Sequence, residues 1–334
     1  MTTAMLPLIL LASSLGASTV DPERPSGTVT DHVLVISIDG LRPDAIDEYG
    51  LETLQRLQRE GSSAAEARTI LPSKTLPSHT SMLTGVPPAV HGITFNRSIA
   101  AEENVQVPTM FELARADGFQ TAAFFSKAKL RHLQRPDAFD YWQAPESNVD
   151  HWMATRTVGD AVQYLAHERP NLMFVHIGEP DYAGHTMGWM GMIYGMATKR
   201  ADAAVARVLE AAEDAFGAGN YTVIVTADHG GHGRDHGSEH EDDVHIPWMI
   251  WGEGVAPGSA PASVRTMDTA ATALWLLGVN RPAQWAGMPV QSAFTSRALA
   301  AAEAAGDNNP VVSTAEPVET GRVVAEPASA GATR

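Results

Sequence analysis

Cysteine is absent from this 334-residue chain. That absence removes disulfides, thiolate nucleophiles and cysteine-ligated zinc in one step. Positive charge is scarce as well: 23 Lys and Arg stand against 39 Asp and Glu, a formal net charge of -16. Such a far field repels phosphate backbones, so binding of a nucleic-acid polymer is not expected. A site that handles phosphate in this chain needs local positive charge, which bound metal supplies most directly.

Long apolar runs are also missing. "MLPLILLASSLGA" at 5–17 is thirteen residues, too short to span a bilayer. With Gly16, Ala17 and Ser18 at its end it reads as the apolar core of a secretory signal over 1–20, although no Lys or Arg precedes it. A periplasmic or secreted location is the expectation that follows. Nothing else in the chain is apolar enough for a membrane span. Oligomeric state has no readable signal.

What is present is a globular composition, 44% hydrophobic and 19% charged, long enough for a large core. Four short apolar runs read as buried parallel strands: "HVLVISI" (32–38), "QTAAFFS" (120–126), "NLMFVHI" (171–177) and "YTVIVTA" (221–227), with "IPWMIWG" (246–252) as a fifth. Helical patterns fall at about 51–60, 76–84, 108–117, 150–168, 190–216 and 267–277. Alternating strands and helices predict an α/β three-layer sandwich, a mainly parallel sheet flanked by helices. The folded domain is expected over 30–300. The Ala/Pro/Glu-rich stretch 301–334 has no periodicity and reads as a disordered tail.

Open α/β sheets bind ligands beyond the carboxyl ends of their strands. Three of the expected strands end in acids or imidazoles: Asp39 after the first, Asp181 and His185 in "GEPDYAGH", and Asp228 and His229 before "GGHGRDHGSEH". Each has an ordinary alternative: a turn-forming Asp before Gly, a surface hydrogen-bonded pair, a loop start. Three such endings on one edge point to chemistry instead. Aspartate with neutral imidazole suits zinc. Asp39, Asp181, His185, Asp228, His229 and at least one of His232, His236 and His240 are too many donors for one tetrahedral ion and enough for two. Two metals form a clamp for in-line displacement at phosphorus.

"RTILPSKTLPSHTSMLTG" (68–85) supplies a nucleophile for that clamp. Pro77 belongs in the first turn of a helix, which makes Thr75 the expected N-cap, with amide groups facing an anion. A Thr hydroxyl before a metal can lose its proton and attack.

"SIDGLRPD", "LPSKTLPSHTSMLTG", "HGITFN", "EPDYAGHTMG" and "TADHGG" resemble, in that order, the motifs of type I phosphodiesterase/nucleotide pyrophosphatase enzymes of the alkaline phosphatase superfamily. The resemblance covers about 31 to 290. It implies an alkaline phosphatase-like fold, two Zn²⁺ ions and a phosphothreonine intermediate on Thr75. It also implies one zinc on Asp39, Thr75, Asp228 and His229, and the other on Asp181, His185 and a later His. Asn96 matches the family's hydrogen-bond donor to a phosphate oxygen. The last His follows "DHG" within a few residues and extra Cys-rich or nuclease-like modules are missing, which resembles the compact bacterial branch. His236 is favoured over His240 as the last ligand, because Gly237 lets the chain reverse there. His232 lies too near His229 to turn toward a second metal.

The expected activity is hydrolysis of phosphodiester or nucleotide pyrophosphate bonds in a small phosphate-ester substrate. A phosphomonoesterase or phosphonate hydrolase on the same core is the nearest alternative. A monoester carries one more negative charge and calls for extra positive groups. A sulfatase lacks its modified cysteine here. A catalytically dead, metal-stabilised binding protein is the non-enzymatic alternative, opposed by the intact nucleophile and ligand set.

Overall fold

The computed structural model describes residues 27–97, 105–135, 137–146 and 153–304. The expected secretory signal over 1–20 lies outside the described residues, and so does the expected tail from 305 onward.

In chain order the strands are β1 (Val33–Ile38), β2 (Ser62–Ser63), β3 (Ala67–Arg68), β4 (Thr121–Phe124), β5 (Tyr141–Gln143), β6 (Leu172–Ile177), β7 (Thr222–Thr226), β8 (Trp248–Gly252) and β9 (Val264–Arg265). The helices are α1 (Ala45–Glu48), α2 (Glu52–Glu60), α3 (Thr75–Thr84), α4 (Pro88–His91), α5 (Met110–Ala116), α6 (Ala154–Glu168), α7 (Glu179–Met187), α8 (Met192–Phe216), α9 (Glu241–Val244), α10 (Asp268–Leu276) and α11 (Ser296–Ala304). All five expected strands form. Helix α11 runs past 300, where the expected domain stopped.

Seven strands make one sheet in the order β2-β8-β7-β1-β6-β4-β5. From β7 to β5 every pairing is parallel. β8 runs antiparallel to β7, and β2 antiparallel to β8. The reversal at β8 follows from the segment before it: residues 227–247 stay at the carboxyl edge of the sheet, so the chain re-enters from that edge. Every residue of β1, β6 and β7 is buried, as a parallel sheet covered on both faces requires. Helices α2, α6 and α8 pack together on one face, and α3, α5 and α10 on the other. This is the expected three-layer sandwich.

Register positions the site. Ser37 of β1 pairs with Thr226 of β7, so Asp39 and Asp228, each two residues farther on, emerge level. On the other side Ile38 pairs with Ile177 of β6, and the Asp181 amide donates to the Asp39 carbonyl at 3.0 Å. Gly40 makes this approach possible. Its φ is +72°, and a Cβ there would lie 3.0 Å from Asp181 Cα.

Candidate metal centre

Helix α7 was not expected from the sequence, and it is what aims two donors the same way. Asp181 and His185 sit four apart, on one helical face. Pro180 in the first turn, with Glu179 and Asp181 beside it, is the helix-start signal that would have revealed α7. Thr75 differs from its expected role as N-cap. Lys74 takes that position with extended φ −129° and ψ 150°, and Thr75 is the first helical residue. Its hydroxyl is thereby free of capping and lies 3.4 Å from His229 Nε2.

Two groups of donor atoms result. In the first, His229 Nε2 lies 3.4 Å from Asp39 Oδ1 and 3.2 Å from Asp228 Oδ2, with Thr75 Oγ1 completing the set. In the second, Asp181 Oδ1 lies 3.3 Å from His185 Nε2 and 3.5 Å from His236 Nε2, and the two imidazole nitrogens are 3.1 Å apart. The groups adjoin: His229 Nε2 is 3.9 Å from Asp181 Oδ1.

Each carboxylate is held by one oxygen and presents the other. Asp39 Oδ2 accepts from Lys127 Nζ at 2.6 Å and His176 Nε2 at 2.9 Å. Lys127 also binds Asp181 Oδ2. Asp228 Oδ1 accepts from the Gly40 amide at 3.1 Å. The remaining oxygens, Asp39 Oδ1, Asp181 Oδ1 and Asp228 Oδ2, are buried with no hydrogen-bond partner. The imidazoles obey the same rule. Nδ1 of His229, His185 and His236 lies 2.7, 3.0 and 2.8 Å from the carbonyls of Gly230, Arg234 and Ser73. A carbonyl only accepts, so each Nδ1 carries a proton, and in the neutral ring each Nε2 is a lone pair aimed into the cluster; the hydrogen bond with Asp181 raises the His185 pKa above its ordinary value.

Orphaned buried oxygens cost free energy unless a cation meets them. Zinc arms of about 2.0–2.2 Å in a tetrahedral array space their donors about 3.3–3.6 Å apart, which the donor spacings match. The residues present therefore fit a divalent metal at each group. A further cluster, His232, His240 and Asp243, lacks this signature. Asp243 Oδ1 is bound by His232 Nδ1 at 2.7 Å, and its Oδ2 by the Ser238 amide and hydroxyl at 3.0 and 2.7 Å. His240 stacks on His232 with ring centroids 4.3 Å apart. The structure thus brings His236 to the second donor group and leaves His240 and His232 together elsewhere. Gly237 next to His236 has φ +111°, and Lys74 packs so closely that a Cβ there would lie 2.6 Å from Lys74 Cε.

Burial would raise the Asp39 carboxyl, but Lys127 and the His176 hydrogen bond hold it well below the ordinary carboxylate range. Asp181 is lowered against its burial chiefly by Lys127. Asp228 goes the other way, raised by burial and then by the nearby Asp39 charge. Of the three carboxylates, Asp228 is the one held toward its neutral form. Burial, then His236, pushes His229 down to about 3, and burial lowers His236. Both imidazoles stay neutral, as metal ligation requires.

Asn96 stands at the start of α3, and it changes what the first amide there can do. Its Oδ1 accepts from the Leu76 amide at 3.0 Å, so that amide holds Asn96 and does not face an incoming anion. The amide nitrogen of Asn96 is the donor left for a substrate. Arg42 is a bracket, not an anion site: it pairs with Asp44 at 2.6 Å and Asp242 at 2.7 Å. His79 bridges Ser37 Oγ and the Thr75 carbonyl, both at 2.8 Å, and so steadies the first turn of α3. Sequence reasoning missed Lys127, His176 and Lys129. The available signal for Lys127 was a cation directly after the buried run "AAFFS" (122–126), at the carboxyl end of β4.

A mostly parallel sheet between two helical layers, with paired Asp/His groups at its carboxyl edge, defines an alkaline phosphatase-like core. The family model for type I phosphodiesterase / nucleotide pyrophosphatase matches residues 33–245, and this chain belongs to that family. Human ectonucleotide pyrophosphatase/phosphodiesterase family member 1 is 24% identical over 230 residues, covering 63% of this chain and 24% of the human protein. Rat family member 3 is 25% identical over 244 residues, 64% of this chain and 26% of that protein. The chain thus spans about a quarter of the length of these relatives. Among solved structures, an inactive variant of murine ectonucleotide pyrophosphatase / phosphodiesterase 5 in complex with AMP superimposes with a TM-score of 0.68 at 15% identity, covering 79% of this chain and 100% of that one. A 2-O GAG sulfatase superimposes at 0.59 and 17% identity, covering 78% and 73%. At these identities the structural likeness speaks for the fold alone.

Proposed function

We propose that this protein is a dizinc hydrolase of phosphoric esters, acting on phosphodiester or nucleotide pyrophosphate bonds of small substrates through Thr75. The observation that carries the reading is the set of three buried carboxylate oxygens without hydrogen-bond partners, gathered with imidazole nitrogens beside the Thr75 hydroxyl. One zinc would be held by Asp39, Thr75, Asp228 and His229, the other by Asp181, His185 and His236. Bound zinc supplies positive charge that lowers the pKa of the Thr75 hydroxyl and offsets negative charge developing at phosphorus. Thr75 Oγ1, its proton released to solvent, bonds to phosphorus and expels the alcohol or phosphate leaving group. Asn96 Nδ2 holds a non-bridging oxygen as charge grows there. Water then cleaves the phosphothreonine and restores the hydroxyl. Lys127 keeps Asp39 and Asp181 pointing at their clusters.

The sulfatase reading finds fold neighbours but no cysteine to supply that family's nucleophile. No helix among the described residues is long and apolar enough to cross a membrane. We place the protein in the periplasm or outside the cell on the strength of the 5–17 apolar run. The decisive experiment combines metal analysis of the purified protein with hydrolysis of bis-aryl phosphate, aryl phosphate, aryl phosphonate, aryl sulfate and dinucleotide substrates. About two zinc equivalents and hydrolysis of the diester or dinucleotide support the reading. Turnover of aryl sulfate alone, or full activity after chelation, overturns it.

A further inference from the structure

We propose that Lys129 recognises a second negative charge on the substrate, so that the site selects dianionic phosphoryl compounds over simple monoanionic diesters. This rests on the hydrolase reading above and names its substrate class. The short helical turn after β4 carries two lysines at the site. Lys127 is engaged by Asp39 and Asp181. Lys129, two residues on and half-buried, is not. Among the described residues its hydrogen-bond partner is the neutral Asn96 Oδ1 at 3.3 Å, and no carboxylate forms an ion pair with it. That Asn96 oxygen also accepts from the amide of Leu76, the residue after Thr75. The ammonium, without a counter-ion, therefore lies beside the start of α3, where Asn96 and Thr75 would meet a phosphoryl group.

Removing an ammonium partly from water without a counter-ion is unfavourable, and a substrate anion relieves it. Charge balance agrees. With a divalent ion in each donor group, Asp39, Asp181 and Asp228 are outweighed by the ions and the two lysines by three positive charges. An ionised Thr75 takes up one. A dianion neutralises the remaining two, and a diester only one. The second charge has two chemical sources: a third terminal oxygen on the attacked phosphorus, as in a monoester, or a neighbouring phosphoryl group, as in a pyrophosphate.

The test compares wild type, Lys129→Gln and Lys129→Arg, each zinc-loaded, on three substrates. Bis(4-nitrophenyl) phosphate carries one charge, 4-nitrophenyl phosphate two on one phosphorus, and diadenosine diphosphate one on each of two. Calorimetric binding of inorganic phosphate and of dimethyl phosphate gives a readout independent of turnover. A charge-assisted hydrogen bond predicts that Lys129→Gln lowers kcat/KM on a dianion, relative to the diester, by about tenfold or more, with Lys129→Arg retaining most of the preference. Phosphate binding should weaken while dimethyl phosphate binding changes far less. A loss confined to the monoester or to the pyrophosphate locates the second charge. Equal losses on all three substrates, with equal weakening of both ligands, would make Lys129 a prop for Asn96 and overturn the proposal. If wild type hydrolyses none of the three, the hydrolase reading fails, and phosphate binding alone still decides the role of Lys129.

Discussion

His185 Nε2 and His236 Nε2 face each other at 3.1 Å, and neither carries the proton of a neutral ring, because both Nδ1 atoms donate to carbonyls. Two lone pairs at that distance repel unless a cation lies against them. Asp181 Oδ1, orphaned and 3.3–3.5 Å from both, supplies the negative partner that such a cation needs. His236 therefore lies in the second donor group, while His240 stacks on His232. Replacing His236 by Ala should remove about one of two zinc equivalents, since three donors and a solvent position are a minimal zinc site. The same change at His240 should leave both. Counting bound zinc in the two variants after gel filtration checks this, and the reverse pattern would refute it.

Thr75→Ala should lower turnover by several orders of magnitude, because a nucleophile's covalent role cannot be replaced by substrate binding. The fold should persist. Three other donors remain in that group, so most metal should persist as well. Single-turnover hydrolysis with far-UV circular dichroism and zinc counting reads all three. Diesterase activity within a few-fold of wild type would end the threonine mechanism.

Lys127 is an ammonium 3% exposed that bridges two buried carboxylates. Lys127→Met leaves Asp39 and Asp181 facing each other without it. Breaking a buried pair from one side costs ~3–5 kcal/mol. The loss should appear in the metal-free protein and shrink on adding zinc, whose charge replaces the missing ammonium. Urea unfolding with chelator and with excess zinc measures the difference. An equal loss in both conditions would mean that Lys127 acts by packing.

His91 gives a pH dependence away from the metals. Its Nδ1 accepts from the Ile93 amide at 3.0 Å and its Nε2 lies 2.9 Å from Ser81 Oγ, an arrangement that requires the neutral ring. Burial, then His132, lowers its pKa from 6.5 to about 4. A histidine lowered in the folded state is protonated first in the unfolded chain. Its contribution is therefore full above about 6.5 and declines as pH falls toward about 4. His91→Gln should flatten that part of the stability–pH curve, read by urea unfolding at pH 7 and pH 5 in the presence of chelator. An unchanged slope would show that His91 is not the titrating group.

The order of strands and helices was legible because buried parallel strands are short unbroken apolar runs, and five such runs became β1, β4, β6, β7 and β8. Asp39, Asp228 and His229 were legible for the same reason: they are the first polar residues after those runs, and strand ends position a site. Asp181 and His185 were found, but the helix that aligns them was not, since "EPDYAGHTM" is too short and mixed to show a helical period. For the histidine that completes the second group the sequence favoured His236 over His240 through Gly237 but did not decide, because the chain between 229 and 245 turns back on itself. Only its path beside Lys74 and the Ser73 carbonyl directs His236 inward. Lys127 showed only as a cation after a buried run, and Lys129 carried no signal. Their role depends on β4 lying beside β6, a pairing between segments about fifty residues apart. The one-dimensional pattern determined which residues end at the sheet's carboxyl edge. Strand order and register decided which of them gather into one donor group, because charges interact over a few ångströms in space, however far apart they lie in the chain.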